Sequence, residues 1–301
     1  MPRAAAGRAG GDKRGSVTVV IAQLTDSHLR RAGEFTHGFD TGRCLQDAVQ
    51  AIVDAPVPID AIVVTGDLAD RGREDEYRHF LEITAPIRAP IYPGPGNHDE
   101  ARTLAKAFAS AVDVTHAGDV AYSVDVGPLR IVMLDSSIAG ADHGSMSAER
   151  LRWLDDTLSL RPSQPTLLAM HHPPFRTGIR HMDAINCHDG DALAELLLRH
   201  RQVLALACGH VHRSIFTSFA GRAASVAPSP AYAVCLDFAE DSTLRFTAEP
   251  AGLHLHVWAP EGGPFGTLAT HRVSVNAPPV VSSDAKKGLD FATDLGADGL
   301  G

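Results

Sequence analysis

Residues 17–29 read VTVVIAQLTDSHL, a β-branched and largely apolar run that stops at Asp26-Ser27-His28. A run of that length bounded by polar residues reads as a buried strand, here Val17–Leu24. The same event recurs downstream. AIVVT (61–65) runs into Gly66-Asp67-Leu68-Ala69-Asp70, a third strand passes through PGPG into Asn97-His98-Asp99, LLAM (167–170) ends in His171-His172-Pro173-Pro174, and VLALAC (203–208) ends in Gly209-His210-Val211-His212. In an α/β protein, sites form just beyond the carboxyl ends of parallel strands. Five strand ends that each deliver Asp, His or Asn therefore predict one shared site.

Helical patterns separate these strands. Arg43–Val53, Glu74–Ile83, Ser147–Leu158 (with Ser147 as cap) and Asp191–His200 carry apolar residues at helical spacing. VAYSVDVGPLRIVMLD reads as a hairpin turning at Gly127-Pro128, and residues 214–257 give several short strands in succession. The alternation predicts an α/β fold with two facing sheets and helices outside. We expect one domain over 16–275, flanked by flexible tails at 1–15 and 276–301. The apolar stretch Leu253–Leu268 is expected to pack on the body or on a partner copy.

The chain has 301 residues, 44% of them hydrophobic, and a net charge of −9. It lacks the basic balance of a protein that grips a nucleic-acid polymer. Four separated cysteines, without a CxxC pair, argue against a disulfide framework or a thiolate zinc site. No secretory h-region and no membrane-length apolar run stand out, which makes the cytoplasm the default expectation.

Carboxylate, imidazole and amide oxygen without thiolate suit Mn, Fe, Co or Zn ions. In Asp26-x-His28, an i, i+2 spacing on extended backbone would send both side chains to one side. His210-x-His212 could do the same, or a loop could aim the two at neighbouring ions. Gly66 and Gly96 would let backbone bend sharply or approach a metal closely. Each cluster alone has a bland reading as a turn or a solvated histidine; the ordered set does not.

The order DxH…GDxxD…GNHD…HHPP…GHVH resembles the calcineurin-like metallophosphoesterases, over about residues 17–235. TDSHL (25–29), HGFD (37–40), TGDLAD (65–70), PGNHDE (95–100), LDSS (134–137) and MHHPPF (170–175) are similar to the bacterial branch of class III cyclic nucleotide phosphodiesterases and glycerophosphodiesterases, as is HMDAINC (181–187). The resemblance implies a four-layer α/β/β/α sandwich of two mixed sheets and two divalent metal ions. It implies Asp26, His28 and His212 on the first metal, Asn97, His171 and His210 on the second, and Asp67 bridging. His98 would stabilise charge or protonate the leaving group. Asp70 and Asp99 would stand behind the ligands, with Asp99 alternatively capping the helix that starts near Glu100. His171 rather than His172 would be the ligand. The implied chemistry is attack by a metal-bridging hydroxide on a small phosphodiester such as a 3',5'-cyclic nucleotide or a glycerophosphodiester.

One departure concerns APSPAYAVC (227–235), which offers Tyr232 where related enzymes carry a substrate-contacting histidine. Arg176, Arg180 and His181 are further candidate contacts, while Trp153 and Trp258 read as packing residues. A phosphomonoesterase or nucleotide pyrophosphohydrolase is the alternative on the same scaffold. A non-catalytic metal-binding module is a more distant one. A homodimer or higher homo-oligomer is compatible with the sequence, and no membrane contact is expected.

Overall fold

The structure is a computed structural model and describes residues 18–109 and 119–275. The expected tails at 1–15 and 276–301 lie outside the described residues. Along the chain run β1 (Val19–Leu24), α1 (Thr41–Val53), β2 (Ala61–Thr65), α2 (Glu74–Thr84), β3 (Ile91–Gly94) and α3 (Ala101–Ala107). Then come β4 (Tyr122–Val126), β5 (Leu129–Met133), α4 (Ala148–Ser159), β6 (Thr166–Ala169), α5 (Arg180–Ala184), α6 (Gly190–Arg199) and β7 (Val203–Cys208). The last elements are β8 (Ile215–Phe219), β9 (Arg222–Val226), β10 (Ala233–Val234), β11 (Phe246–Thr247), β12 (Gly252–Ala259) and β13 (Thr267–Ser274).

Two mixed sheets form, ordered β13-β12-β1-β2-β3 and β4-β5-β6-β7-β9-β8. Strands β1, β2 and β3 are mutually parallel, as are β5, β6, β7 and β9. Burial shows why the sheets face each other. Ile131, Met133, Leu167, Ala169, Ala205 and Ala207 join the core of the first sheet and of α1 and α2. The alternate residues Val132, Leu168, Leu206 and Cys208 pack instead with Leu154 and Leu158 of α4 and Leu193 and Leu197 of α6. Period-2 alternation with apolar residues on both faces is what an inner strand of a four-layer α/β/β/α sandwich requires. Ser147 caps α4 as expected, its hydroxyl accepting from the Arg150 amide.

The stretch expected to pack on the body or on a partner copy packs in the body: Leu253–Ala259 belongs to β12, which pairs antiparallel with β1 in the register Val19↔Trp258 and is itself flanked by β13. The pairing is highly non-local, and an apolar run alone does not reveal its partner strand. Trp258 packs in the core, as expected, with its indole N–H on the Phe265 carbonyl at 2.9 Å. Among the described residues, no helix is long and apolar enough to cross a membrane.

Candidate metal centre

The loops after the strands are bent rather than extended. Asp26 (φ 52°), His28 (φ 41°), Asp67 (φ 51°), His210 (φ 74°) and His212 (φ 57°) all adopt left-handed backbone. This corrects the expectation that Asp26 and His28 converge from an extended segment. Each such non-glycine residue costs about 1–3 kcal/mol and persists only where its surroundings over-determine it. Here the amides of Asp26 and His28 donate to the Gly66 and Asp67 carbonyls at 3.0 and 2.9 Å, and the His210 amide donates to the Asp26 carboxylate at 3.0 Å. Gly66 and Gly96 allow close approach as expected. A Cβ on Gly66 would lie 2.4 Å from the His171 ring, and one on Gly96 would lie 2.2 Å from the Asp67 carboxylate.

These turns gather two donor sets. In the first, His212 Nε2 lies 3.4 Å from Asp26 Oδ1 and 3.1 Å from His28 Nε2. In the second, His171 Nε2 lies 3.1 Å from Asn97 Oδ1, and His210 belongs to the cluster around His171. Asp67 Oδ2 stands between the sets, 3.4 Å from His28 Nε2 and 3.3 Å from His171 Nε2. The spacing thus aims His210 and His212 at different sets, one of the two options left open above.

Hydrogen bonds decide which nitrogens remain available. The Thr65 carbonyl only accepts, so His171 Nδ1 donates to it at 2.7 Å and Nε2 is the nitrogen turned toward the donor set. His212 Nδ1 likewise donates to the Tyr232 carbonyl at 3.2 Å. His172 is near the second set, but Ser136 Oγ meets its Nδ1 at 2.9 Å and its Nε2 donates to the Asp142 carbonyl at 3.2 Å. With both nitrogens engaged, His172 supports the loop, and the geometry favours His171 as the donor. Burial pushes His28, His210 and His212 down from the ordinary histidine range, so they are neutral, the form that binds a cation.

His171 behaves differently: burial opposes its charge, but Asp67 and Asp26 raise its pKa to about 9. Burial pushes Asp26 up to about 7, reinforced by the neighbouring Asp67. Burial acts on Asp67 in the same sense, but His171 and His28 hold it well below the carboxylate range. His210 Nε2 is buried with no hydrogen-bond partner, an arrangement that costs free energy unless something fills it. Converging neutral imidazoles, paired carboxylates and an orphaned nitrogen fit a divalent cation.

The remaining predicted residues surround these sets. His98 is exposed; its amide donates to Asp67 Oδ1 at 2.9 Å and its Nδ1 to the Asp70 carbonyl at 2.9 Å, which leaves Nε2 free of both. Burial opposes its charge, but Asp67 and Asp70 raise its pKa overall. Asp70 Oδ1 lies 3.6 Å from His28 Nδ1, behind that ring. Asp99 is not a helix cap: Glu100 caps α3, accepting from the Arg102 and Thr103 amides. Asp99 instead accepts from the Gly96, Leu68 and Ala69 amides and from Tyr77 Oη, tying the loop after β3 to the loop after β2. Tyr232 is 2% exposed and packs between His212 and Phe246, at 4.8 and 4.9 Å between ring centroids. Arg176 and His181 are exposed and Arg180 pairs with Glu240, so the structure brings none of the three into a donor set.

Sequence reasoning missed several supports. Thr25 Oγ1 bonds Asp26 Oδ2 at 2.7 Å, and Ser229 Oγ donates to the Asp26 carbonyl at 2.8 Å. Ser229 sits in the stretch read only for Tyr232, and Thr25 directly precedes a proposed ligand.

A probable glycerophosphodiester phosphodiesterase (GpdQ) of Arcobacter nitrofigilis is 36% identical over 84% of this chain and 92% of its own length. The 3',5'-cyclic adenosine monophosphate phosphodiesterase CpdA of Escherichia coli K12 is 33% identical over 74% of this chain and 79% of its own. The fold is similar to that of purple acid phosphatase PPD1 from yellow lupin, with a TM-score of 0.62 at 16% identity over 88% of this chain and 53% of that one. Residues 19–214 match the calcineurin-like phosphoesterase family model, and the chain belongs to that family.

Proposed function

We propose that the protein hydrolyses small phosphodiesters with two divalent ions, one in each donor set. The observation that carries this reading is the position of Asp67 Oδ2, 3.4 Å from His28 Nε2 and 3.3 Å from His171 Nε2, which lets one carboxylate serve both sets. Asp26, His28 and His212 would hold one ion, and Asn97, His171 and His210 the other. Bound there, a pair of divalent ions supplies charge neutralisation on phosphate oxygens and a lowered pKa for water.

The chain's own residues do the rest. His98 carries its proton more readily than an ordinary histidine, and its exposed ring stands at 4.6 Å from the His28 ring, centroid to centroid. It is placed to protonate a departing alkoxide, a need that is greatest for a diester of an alkyl alcohol. Asp67 Oδ1 and the Asp70 carbonyl orient it through the two bonds described above. The names of the A. nitrofigilis and E. coli relatives support glycerophosphodiesters and 3',5'-cyclic nucleotides as the first substrates to try.

The test is a panel of bis- and mono-nitrophenyl phosphate, a glycerophosphodiester and a cyclic nucleotide, each assayed with Mn, Co, Zn and Fe. We expect metal-dependent turnover that favours the diesters. Preference for the monoesters would replace this reading with a phosphomonoesterase.

A further inference from the structure

Gln23 is fully buried in β1, three residues before Asp26. It shares its strand with Ile21 and Leu24, which belong with Ala205 and Ala207 of the opposite sheet to one apolar core. An amide in such a place costs free energy unless every donor and acceptor is met. Here they are met at telling positions. Gln23 Nε2 donates to Thr65 Oγ1 at 2.8 Å and to the Cys208 carbonyl at 2.9 Å. Thr65 ends β2, two residues before Asp67, and Cys208 ends β7, two residues before His210. Strands β2 and β7 lie in different sheets. A single amide therefore ties together the two strand ends that lead to the shared carboxylate and to a donor of the second set.

The orientation of that amide is itself imposed. The Cys208 carbonyl can only accept, so the NH2 group must face it and the oxygen must point away. The oxygen meets His256 Nε2 at 2.9 Å, and Thr270 Oγ1 meets His256 Nδ1 at 2.9 Å. His256 is fully buried on β12, beside β1, and its cross-strand neighbour on β13 is Thr270. With His256 donating from Nε2 and accepting at Nδ1, the amide cannot flip without leaving the Cys208 carbonyl facing an oxygen. A buried amide placed for fold specificity alone could sit anywhere between the sheets; this one sits where the ligand-bearing loops begin.

We propose that Gln23, its amide set by His256, is a positioning residue that fixes the spacing of Asp67 and His210 across the two sheets and so sustains the second metal site. The proposal rests on the two-ion reading above. The test strips the full-length protein of metal and titrates it with Mn(II), following uptake calorimetrically and the exchange-coupled signal of paired ions by EPR. In Gln23→Met, which keeps the volume but loses both N–H donors, the first ion should lose far less affinity than the second. The second should bind about 10–100-fold more weakly, the usual cost of removing support behind a ligand, and the coupled signal should fade at stoichiometric metal. His256→Leu should reproduce the effect, and His256→Gln, which can still donate to Gln23 Oε1, should restore it.

Wild-type binding of both ions by Gln23→Met overturns the proposal, as does a parallel weakening of both ions that tracks a lower melting temperature of the metal-free protein. Should Gln23→Met not fold, the histidine pair decides: equal second-ion affinity in His256→Leu and His256→Gln overturns it. A wild-type chain that takes up fewer than two ions overturns the metal reading itself, a result distinct from a two-ion wild type matched by Gln23→Met.

Discussion

The two donor sets draw on similar residues but differ in charge and backbone. Asp26, His28 and His212 add a carboxylate of their own to the shared Asp67, and all three sit on left-handed turns. Asn97, His171 and His210 add no carboxylate of their own, and among them only His210 has positive φ. The Asp26 carboxylate is gripped by Thr25 and by the His210 amide, while Asn97 is half-buried with Oδ1 against His171 Nε2. The first set thus offers two anionic ligands in a pre-bent frame, and the second offers one anion and a more accessible amide. Ligand charge and rigidity both strengthen cation binding, so the ions should bind unequally, the Asn97 side more weakly.

The largest expected effect comes from removing what the sets share. Asp67→Ala should weaken both ions and lower diester turnover by at least about a thousandfold; near-normal metal content and rate in that variant would mean that Asp67 joins nothing. His98→Ala removes none of the seven proposed ligands and keeps the amide that bonds Asp67 Oδ1. Metal content should stay at the wild-type level while turnover of a glycerophosphodiester falls about 10²–10⁴-fold, with a smaller loss on bis-nitrophenyl phosphate, whose leaving group needs no proton. Equal losses on both substrates would remove His98 from the role of acid.

Asn97→Asp sharpens the comparison by giving the second set its own carboxylate. Calorimetric titration should show the weaker ion tightening by about tenfold, or 1.4 kcal/mol, with the tighter one unmoved; tightening of the other ion would reverse the assignment of strong and weak sides.

A smaller effect lies in the sheet beneath. Burial pushes His254 down from 6.5 to about 4, with Arg272 adding to the shift. The unfolded chain therefore binds a proton that the folded chain refuses. The stability this group contributes is complete above about pH 6.5 and is lost as pH falls through about 4. Chemical denaturation at several pH values should show His254→Gln with a slope of stability against pH flatter by about 1.4 kcal/mol per unit in that window. An unchanged slope would place the proton uptake elsewhere.

The strand-end motifs were legible because ligand-bearing loops must follow parallel strands, and each apolar run marks where its strand stops. The handedness of the backbone at Asp26, His28, Asp67, His210 and His212 was not. Side-chain spacing carries no sign of φ for a non-glycine residue, and the strain is held by bonds between loops far apart in sequence. Asp99 was read as a possible cap because Asp and Glu can both serve there, and only the amides it meets in space separate the two roles. Gln23 and His256 do leave a trace in the sequence: a lone amide within VVIAQL, and two histidines at period two within GLHLHVWA. A polar residue inside an apolar strand signals a buried partner, but its identity depends on which strands become neighbours.

On the proposed reading, one carboxylate, Asp67, joins two ion sites. Titrating the metal-stripped wild type with Mn(II), with EPR at each step, tests it most directly. We expect two ions per chain, bound in unequal steps, and an exchange-coupled signal that appears with the second. Saturation at a single ion, or two ions without magnetic coupling, would contradict it.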